Sequence, residues 1–201
     1  MNAYGLALIA VVGLLGGVAL HDVKKQEPTP IEIQSLVDVV LNDKLNSLPG
    51  YDTLEEAGVQ ASQRAANCSH YYECGGIIAL RPSDHKYVVG PVQSSRSGDS
   101  VHFERNAPLG WKVVANYHSH PCLPDTHYVD FFSPEDLMGD TMNKEPGFMV
   151  NLCTGDVHEF DPSRDSPNDT LVGDEGIYST HGRTVGNIGK SPSVEPSLGT
   201  P

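Results

Sequence analysis

The stretch Val113-Val114-Ala115-Asn116-Tyr117-His118-Ser119-His120-Pro121 decides the fold prediction for this chain. Residues 113–117 are mostly apolar and β-favouring, a composition that predicts a strand. Because side chains alternate along a strand, His118 and His120 should point to one face and Ser119 to the other. Two imidazoles on one rigid strand supply two of the ligands that a zinc site needs.

A second stretch, Phe131-Phe132-Ser133-Pro134-Glu135-Asp136, predicts the beginning of a helix. Ser133 has the side chain of an N-cap, and Pro134 suits the first helical position, where its missing N–H costs nothing. Asp136 then lies in the first turn, close to Ser133. Zinc accepts carboxylate oxygen as well as imidazole nitrogen, and a catalytic site keeps three protein ligands and one open position. The two stretches therefore indicate a metallohydrolase.

The order His-x-His-Pro at 118–121 and Ser-x-x-Asp at 133–136 resembles the motif of the JAB/MPN domain in its metal-competent form, the JAMM metalloproteases. That family also has a glutamate upstream, where a helix gives way to the first core strand, just before Cys-Gly or Gly-Gly and an apolar run. Glu73-Cys74-Gly75-Gly76, followed by the apolar residues 77–80, fits this description. The chain also resembles an uncharacterised bacterial branch of the family that is associated with secreted toxin-like proteins.

The resemblance implies a role for each matching residue. The ligands of Zn2+ would be His118, His120 and Asp136. Glu73 would act as general base towards the attacking water, and Ser133 would help to stabilise the oxyanion. The implied activity is zinc-dependent hydrolysis of a peptide, isopeptide or related amide bond by metal-activated water.

The loop between the two motifs departs from the family pattern. Eleven residues separate Pro121 from Ser133, which is longer than the usual spacing. Loops tolerate lengthening at small entropic cost. Because this loop borders the expected site, the insertion should affect substrate choice more than metal binding.

The predicted elements give an α/β fold, a JAB/MPN-like (cytidine-deaminase-like) mixed β-sheet flanked by helices. A capping box at Thr53-Leu54-Glu55-Glu56 predicts a helix with Ala57, Ala61 and Ala65 on one narrow face. A second helix begins at Ser133. Strands are predicted at Cys74–Leu80, Lys86–Val89, Val101–Glu104, Trp111–Tyr117, Phe148–Cys153 and Val157–Phe160.

Composition and the family resemblance together predict four parts of the chain. Residues 1–22 form a signal peptide or membrane anchor, and residues 23–52 form a linker with an amphipathic helix from Thr29 to about Leu48. The metallohydrolase domain spans 53–162. Residues 163–201 are rich in Pro, Ser, Gly and Asp and lack periodicity, so they are predicted to be a disordered tail.

The N-terminal segment 3–20 carries no charge and allows membrane attachment. The basic residues Lys24 and Lys25 follow it, which favours an anchor with a cytoplasmic C-terminal part, whereas the small residues at 17–19 resemble a signal cleavage site. We expect the protein to be exported, periplasmic or secreted, or anchored by this one segment. The side of the membrane stays open.

The cysteines allow two readings. Cys68 could bond Cys74 if the chain turns between them, and Cys122 could bond Cys153 if the inserted loop folds over the last strands. Alternatively Cys74 and Cys153 are small buried residues in strands, which we expect for Cys74.

The formal net charge of −13 argues against nucleic acid as a partner, because phosphate binding needs clustered Lys and Arg. The expected substrate is a peptide or a protein or cell-wall amide. One alternative is a non-catalytic binding or assembly module with a vestigial metal site. Another is a cupin-like protein, but Pro124 stands where a cupin would have its glutamate ligand.

Overall fold

The computed structural model describes residues 45–123, 129–165, 171–172 and 178–189. The predicted signal or anchor at 1–22 and the predicted helix up to residue 44 lie outside these ranges, as do residues 124–128 of the inserted loop. Among the helices within them, none has the length and apolar character needed to cross a lipid bilayer.

One mixed sheet organises the described residues. Its strand order is β1-β3-β2-β5-β6-β7-β10, and the short β4 pairs with the beginning of β2. β5 and β6 are parallel and are joined through helix α2, whereas the other pairs are antiparallel. The elements are β1 (Gly50–Tyr51), α1 (Leu54–Cys68), β2 (Cys74–Arg81), β3 (Lys86–Val89), β4 (Gln93–Ser94), β5 (Lys112–His120), α2 (Pro134–Asn143), β6 (Gly147–Asn151), β7 (Asp156–Phe160), β8 (Leu171–Val172), β9 (Tyr178–Ser179) and β10 (Arg183–Asn187).

Helix α1 covers one face of the sheet. The capping box predicted from the sequence is confirmed, since Glu56 N–H donates to Thr53 Oγ1 at 3.1 Å and Thr53 N–H donates to Glu56 Oε2 at 3.3 Å. The small side chains of the predicted alanine face allow close approach to the strands, and all three are fully buried: Ala57, Ala61 and Ala65. They pack in one core with the strand residues Ile78, Tyr117, Phe148 and Val150.

Helix α2 lies on the opposite face. Its Leu137 packs with Met149, whose side chain points away from those of its neighbours Phe148 and Val150. Phe132 and Phe160 complete this smaller core. The mixed sheet between two helices confirms the predicted α/β class.

The segment before β5 differs from its prediction. No strand forms at 101–104, where the sequence predicts one. The backbone N–H groups of His102 and Glu104 donate instead to side chains, Ser95 Oγ at 2.7 Å and Gln93 Oε1 at 3.2 Å. Local side-chain acceptors thus replace a strand ladder, and the segment crosses the α2 side of the sheet as a loop.

The predicted disordered tail is wrong for residues 183–187. They form β10, which extends the sheet by pairing with β7, Arg183 opposite Glu159 and Asn187 opposite Asp156. The Arg183 guanidinium lies 2.6 Å from the carboxylate of Glu159, which is 4% exposed. Strand β10 has little apolar content, so its pairing with β7 and the ion pair of Arg183 hold it in place. The hydrophobic periodicity of the sequence does not reveal either contact.

Both possible disulfides form. Cys68 is bonded to Cys74 with a Cα–Cα distance of 6.2 Å, and Cys122 to Cys153 with 4.9 Å. The expectation that Cys74 is a free buried residue is wrong in one respect, because it is buried and bonded. The reason is that the chain turns sharply after α1, so that Cys74 at the beginning of β2 lies next to Cys68 at the end of the helix.

Truncation after Asp165 should lower the free energy of unfolding by about 2–4 kcal/mol, because it removes the β10 ladder and one partner of the buried Glu159. Urea denaturation monitored by circular dichroism measures this change. A chain truncated after Gly189 is the control and should match the full chain. Equal stability of the two truncations would show that β10 contributes nothing to the fold.

Replacing each cysteine pair by serine should lower stability by an amount that grows with the logarithm of the loop that the bond closes. The separations are 6 residues for Cys68–Cys74 and 31 for Cys122–Cys153. The chain-entropy relation gives about 2 kcal/mol for the short loop and about 3.5 kcal/mol for the long one. The same urea measurement compares the two double variants, and the opposite order would exclude this account of their stabilisation.

Candidate metal centre

The two motif histidines lie together at the end of β5. Both are 3% exposed, and their Nε2 atoms are 3.0 Å apart. Ser119 points to the other face, where its hydroxyl accepts a hydrogen bond from Cys74 N–H at 3.1 Å. The alternation predicted from the sequence is therefore what places both imidazoles on one side of the sheet.

The carboxylate of Asp136 completes the group. Its Oδ2 lies 3.5 Å from His118 Nε2 and 3.7 Å from His120 Nε2. Tetrahedral zinc with bonds of about 2.0–2.2 Å places ligand atoms about 3.3–3.6 Å apart. The donor types fit a metal-binding group formed by His118, His120 and Asp136, and the three spacings of 3.0, 3.5 and 3.7 Å lie within about 0.3 Å of that range.

Ser133 fixes the direction of the Asp136 side chain. Its backbone N–H and its hydroxyl both donate to Asp136 Oδ2, at 2.8 and 2.7 Å, while Asp136 N–H donates back to the Ser133 hydroxyl at 3.2 Å. This is the capping box of helix α2. The same hydrogen bonds that begin the helix orient a prospective metal ligand.

Glu73 reaches the group from the beginning of β2. Its Oε1 lies 3.9 Å from His120 Nε2, and the residue is 7% exposed. The backbone is held on both sides, since Glu73 N–H donates to Ser97 O at 2.8 Å and Glu73 O accepts from Ser94 Oγ at 2.8 Å. The disulfide at Cys74 adds a covalent restraint one residue away.

Burial and mutual charge set the protonation of these groups. Burial raises the pKa of Glu73 from 4.5 to about 7, although the charge on His118 lowers it. Burial lowers the pKa of His118, but Asp136, together with Glu73 and Asp140, outweighs this effect and raises the pKa to about 9. Burial also opposes ionisation of Asp136, yet the charges and hydrogen bonds of the two histidines hold its pKa well below the usual range. Near neutral pH the metal-free group is thus an imidazolium–carboxylate pair.

The group opens into a cleft of about 760 Å³. Residues 99–103 and Arg105 form one wall, and helix α2 forms the other. Sequence reasoning missed three residues that line it: Arg105, Asn116 and Asp140. Asn116 lies two residues before His118 on β5, and Asp140 lies four after Asp136 on α2. Those spacings were a usable signal, because each puts the side chain on the same face as a predicted ligand.

A strand carries two histidines, a capped helix carries an aspartate, and a buried glutamate lies beside them. Together they define an α/β domain with a three-residue group that could hold a metal ion. Residues 55–161 match the model of the family described as prokaryotic homologs of the JAB domain. The chain belongs to this family, which confirms the resemblance to the JAB/MPN domain, whereas the association with toxin-like proteins stays a prediction. No significant match was found among curated proteins or among solved structures.

Zinc binding should release about one proton per ion near neutral pH, because the metal needs neutral His118, whose pKa is about 9. The apparent affinity should therefore fall about tenfold for each pH unit below that pKa. Isothermal titration calorimetry in two buffers of different ionisation enthalpy measures the proton count. Binding without proton release would contradict the protonated state assigned to His118.

Proposed function

We propose that this protein is a zinc-dependent hydrolase that cleaves a peptide, isopeptide or related amide bond. One observation carries the proposal: a three-ligand group of His118, His120 and Asp136 lies beside the buried carboxylate of Glu73 in an open cleft. Structural zinc sites close all four positions with protein ligands, whereas three ligands leave one for water or substrate. A separate buried carboxylate is what a water-activating site needs in addition.

Zinc suits the donor set of two imidazoles and one carboxylate at near-tetrahedral spacing. When bound there it would supply a Lewis acid and bring the pKa of a coordinated water towards about 7. Residues of the chain would carry out proton transfer and stabilise the oxyanion.

Glu73 would move the proton. Its carboxylate lies 3.9 Å from His120 Nε2 and is not one of the three prospective ligands, so it can accept a proton from the attacking water and deliver it to the leaving amine. Its burial keeps the protonated and ionised forms close in energy. A group that both accepts and donates a proton in one cycle needs this balance.

Ser133 would stabilise the oxyanion of the tetrahedral intermediate. Its hydroxyl lines the cleft and donates to Asp136 Oδ2 at 2.7 Å. Rotation of the hydroxyl towards the carbonyl oxygen of a bound amide would replace that hydrogen bond by one to the developing negative charge. Its backbone N–H still holds Asp136 in that arrangement.

The proposed place of action is an oxidising compartment outside the cytoplasm. All four cysteines are in disulfides, and such bonds persist mainly in exported proteins. Cleavage of an extracellular peptide or protein or of a cell-wall amide is consistent with that location. The apolar segment 3–20 would direct export or hold the domain at a membrane.

Glu73→Gln tests the hydrolase directly. The isosteric amide should keep zinc bound at about one per chain while turnover falls by about 10² to 10⁴, because proton transfer is lost. The assay uses full-length, zinc-loaded protein on peptide, isopeptide and muropeptide libraries, and metal content is measured by mass spectrometry. Glu104→Gln, an exposed glutamate outside the cleft lining, is the matched control and should behave like the wild type.

His120→Ala and Asp136→Ala should lose both zinc and activity, which separates metal binding from proton transfer. Full zinc occupancy in both variants would exclude the ligand assignment. If the wild type binds zinc but cleaves no library member, the alternative of a binding or assembly module with a vestigial site gains support. Full activity of Glu73→Gln on a cleaved substrate would remove Glu73 from the mechanism.

A further inference from the structure

A second polar pair lies directly behind the metal group. Asn116 precedes His118 by two residues on β5, and Asp140 follows Asp136 by one helical turn on α2. The pair therefore connects the same strand and the same helix that carry the three prospective ligands. Asn116 Nδ2 donates to Asp140 Oδ1, and both residues line the cleft.

Burial of this pair is unfavourable in free energy. Asn116 is 7% exposed and Asp140 is 3% exposed. Asp140 Oδ2 has no hydrogen-bond partner among the described residues, and the nearby Arg105 forms its ion pair with Glu145 instead. A buried carboxylate oxygen without a donor is destabilising by about 1–3 kcal/mol.

The surrounding residues leave space for the buried Asp140 side chain and hold its backbone in place. A Cβ atom on Gly147, the first residue of β6, would collide with the Asp140 carboxylate. The backbone carbonyl of Asp140 accepts from Glu145 N–H at 3.2 Å, and Asn116 N–H donates to Pro146 O at 3.1 Å. Helix α2, strand β5 and the connection to β6 thus meet at this pair.

Stability alone does not account for these two side chains. Replacing both partners of a buried polar pair by apolar groups of similar shape is often neutral or stabilising. The core beneath α2 is small, and Leu137 is its one contribution from within the helix. The position of α2 along β5 is therefore set largely by polar contacts at the Asp136 and Asp140 turns.

We propose that Asn116 and Asp140 are positioning residues of the metal centre: their hydrogen bond fixes the register of helix α2 against strand β5 and thereby the distance of Asp136 Oδ2 from the two histidines. The distances of 3.5 and 3.7 Å lie within and just above tetrahedral spacing, and a small slide of the helix would change both. This inference rests on the proposed zinc-dependent function and extends it to residues outside the motif.

Three full-length variants test the proposal by zinc affinity and thermal stability. The double variant Asn116→Leu/Asp140→Leu removes the hydrogen bond but fills the space, and Asp140→Asn removes the charge but keeps an oxygen acceptor. Met138→Ala, on the exposed side of α2, is the control. Competition titration gives the zinc dissociation constant, and the visible spectrum of cobalt(II) in place of zinc reports the coordination geometry.

The double variant should bind zinc about 10- to 100-fold more weakly, with an altered cobalt spectrum and an unchanged or higher melting temperature. Asp140→Asn and Met138→Ala should bind zinc like the wild type. Wild-type zinc affinity and a wild-type cobalt spectrum in the double variant would overturn the proposal. An equal loss of zinc affinity in Asp140→Asn would also overturn it, because the effect would then come from the charge of Asp140. Failure of the wild type itself to bind zinc would instead defeat the proposed function.

Discussion

The central position of β5 is the constraint on which the rest of the structure depends. Antiparallel pairing with β2 sets Gly75 opposite His118, and parallel pairing with β6 sets Met149 opposite the same histidine. A shift by one residue in either register would turn both histidines into the α1 core and expose apolar side chains. The burial of Ala115 and Tyr117 under α1 therefore also specifies where the imidazoles point.

The pairing partners of β5 bring the other polar groups to the same edge of the sheet. β2 begins one residue after Glu73, so the strand that orders His118 also delivers the proposed base. The parallel crossover from β5 to β6 requires a helix, and its first turn holds Asp136. Glycine at position 75 permits this packing, because a Cβ there would lie 2.5 Å from the Tyr117 carbonyl oxygen.

The buried negative charge at this edge of the sheet needs a compensating positive charge or protonation. Glu73, Asp136 and Asp140 are carboxylates in or beside one cleft, and burial raises the pKa of Glu73 and of Asp140 to about 7. In the absence of metal, protons on Glu73, Asp140 and His118 reduce the repulsion between the carboxylates. A divalent cation bound to the group would do the same while leaving the histidines neutral, so metal and protons would compete for it. The two disulfides and the ion pairs of Glu159 hold neighbouring segments in place without adding negative charge to the cleft.

The sequence alone determined the elements whose signals are local. The alternation at 113–120, the capping boxes at Thr53 and Ser133 and the motif spacing predicted both helices, the central strands and the five residues expected at the site, because each depends on neighbouring residues in the chain. Only the tertiary structure decided what depends on distant partners. It assigned the pairing of Cys74, added β10 through Arg183 and Glu159, replaced the predicted strand at 101–104 by a loop, and joined Asn116 to Asp140 behind the ligands. The spacing of Asn116 and Asp140 from the ligands predicts their faces but not their pairing, and the other contacts have no periodic or compositional signal, because each pairing is created when separate elements pack together.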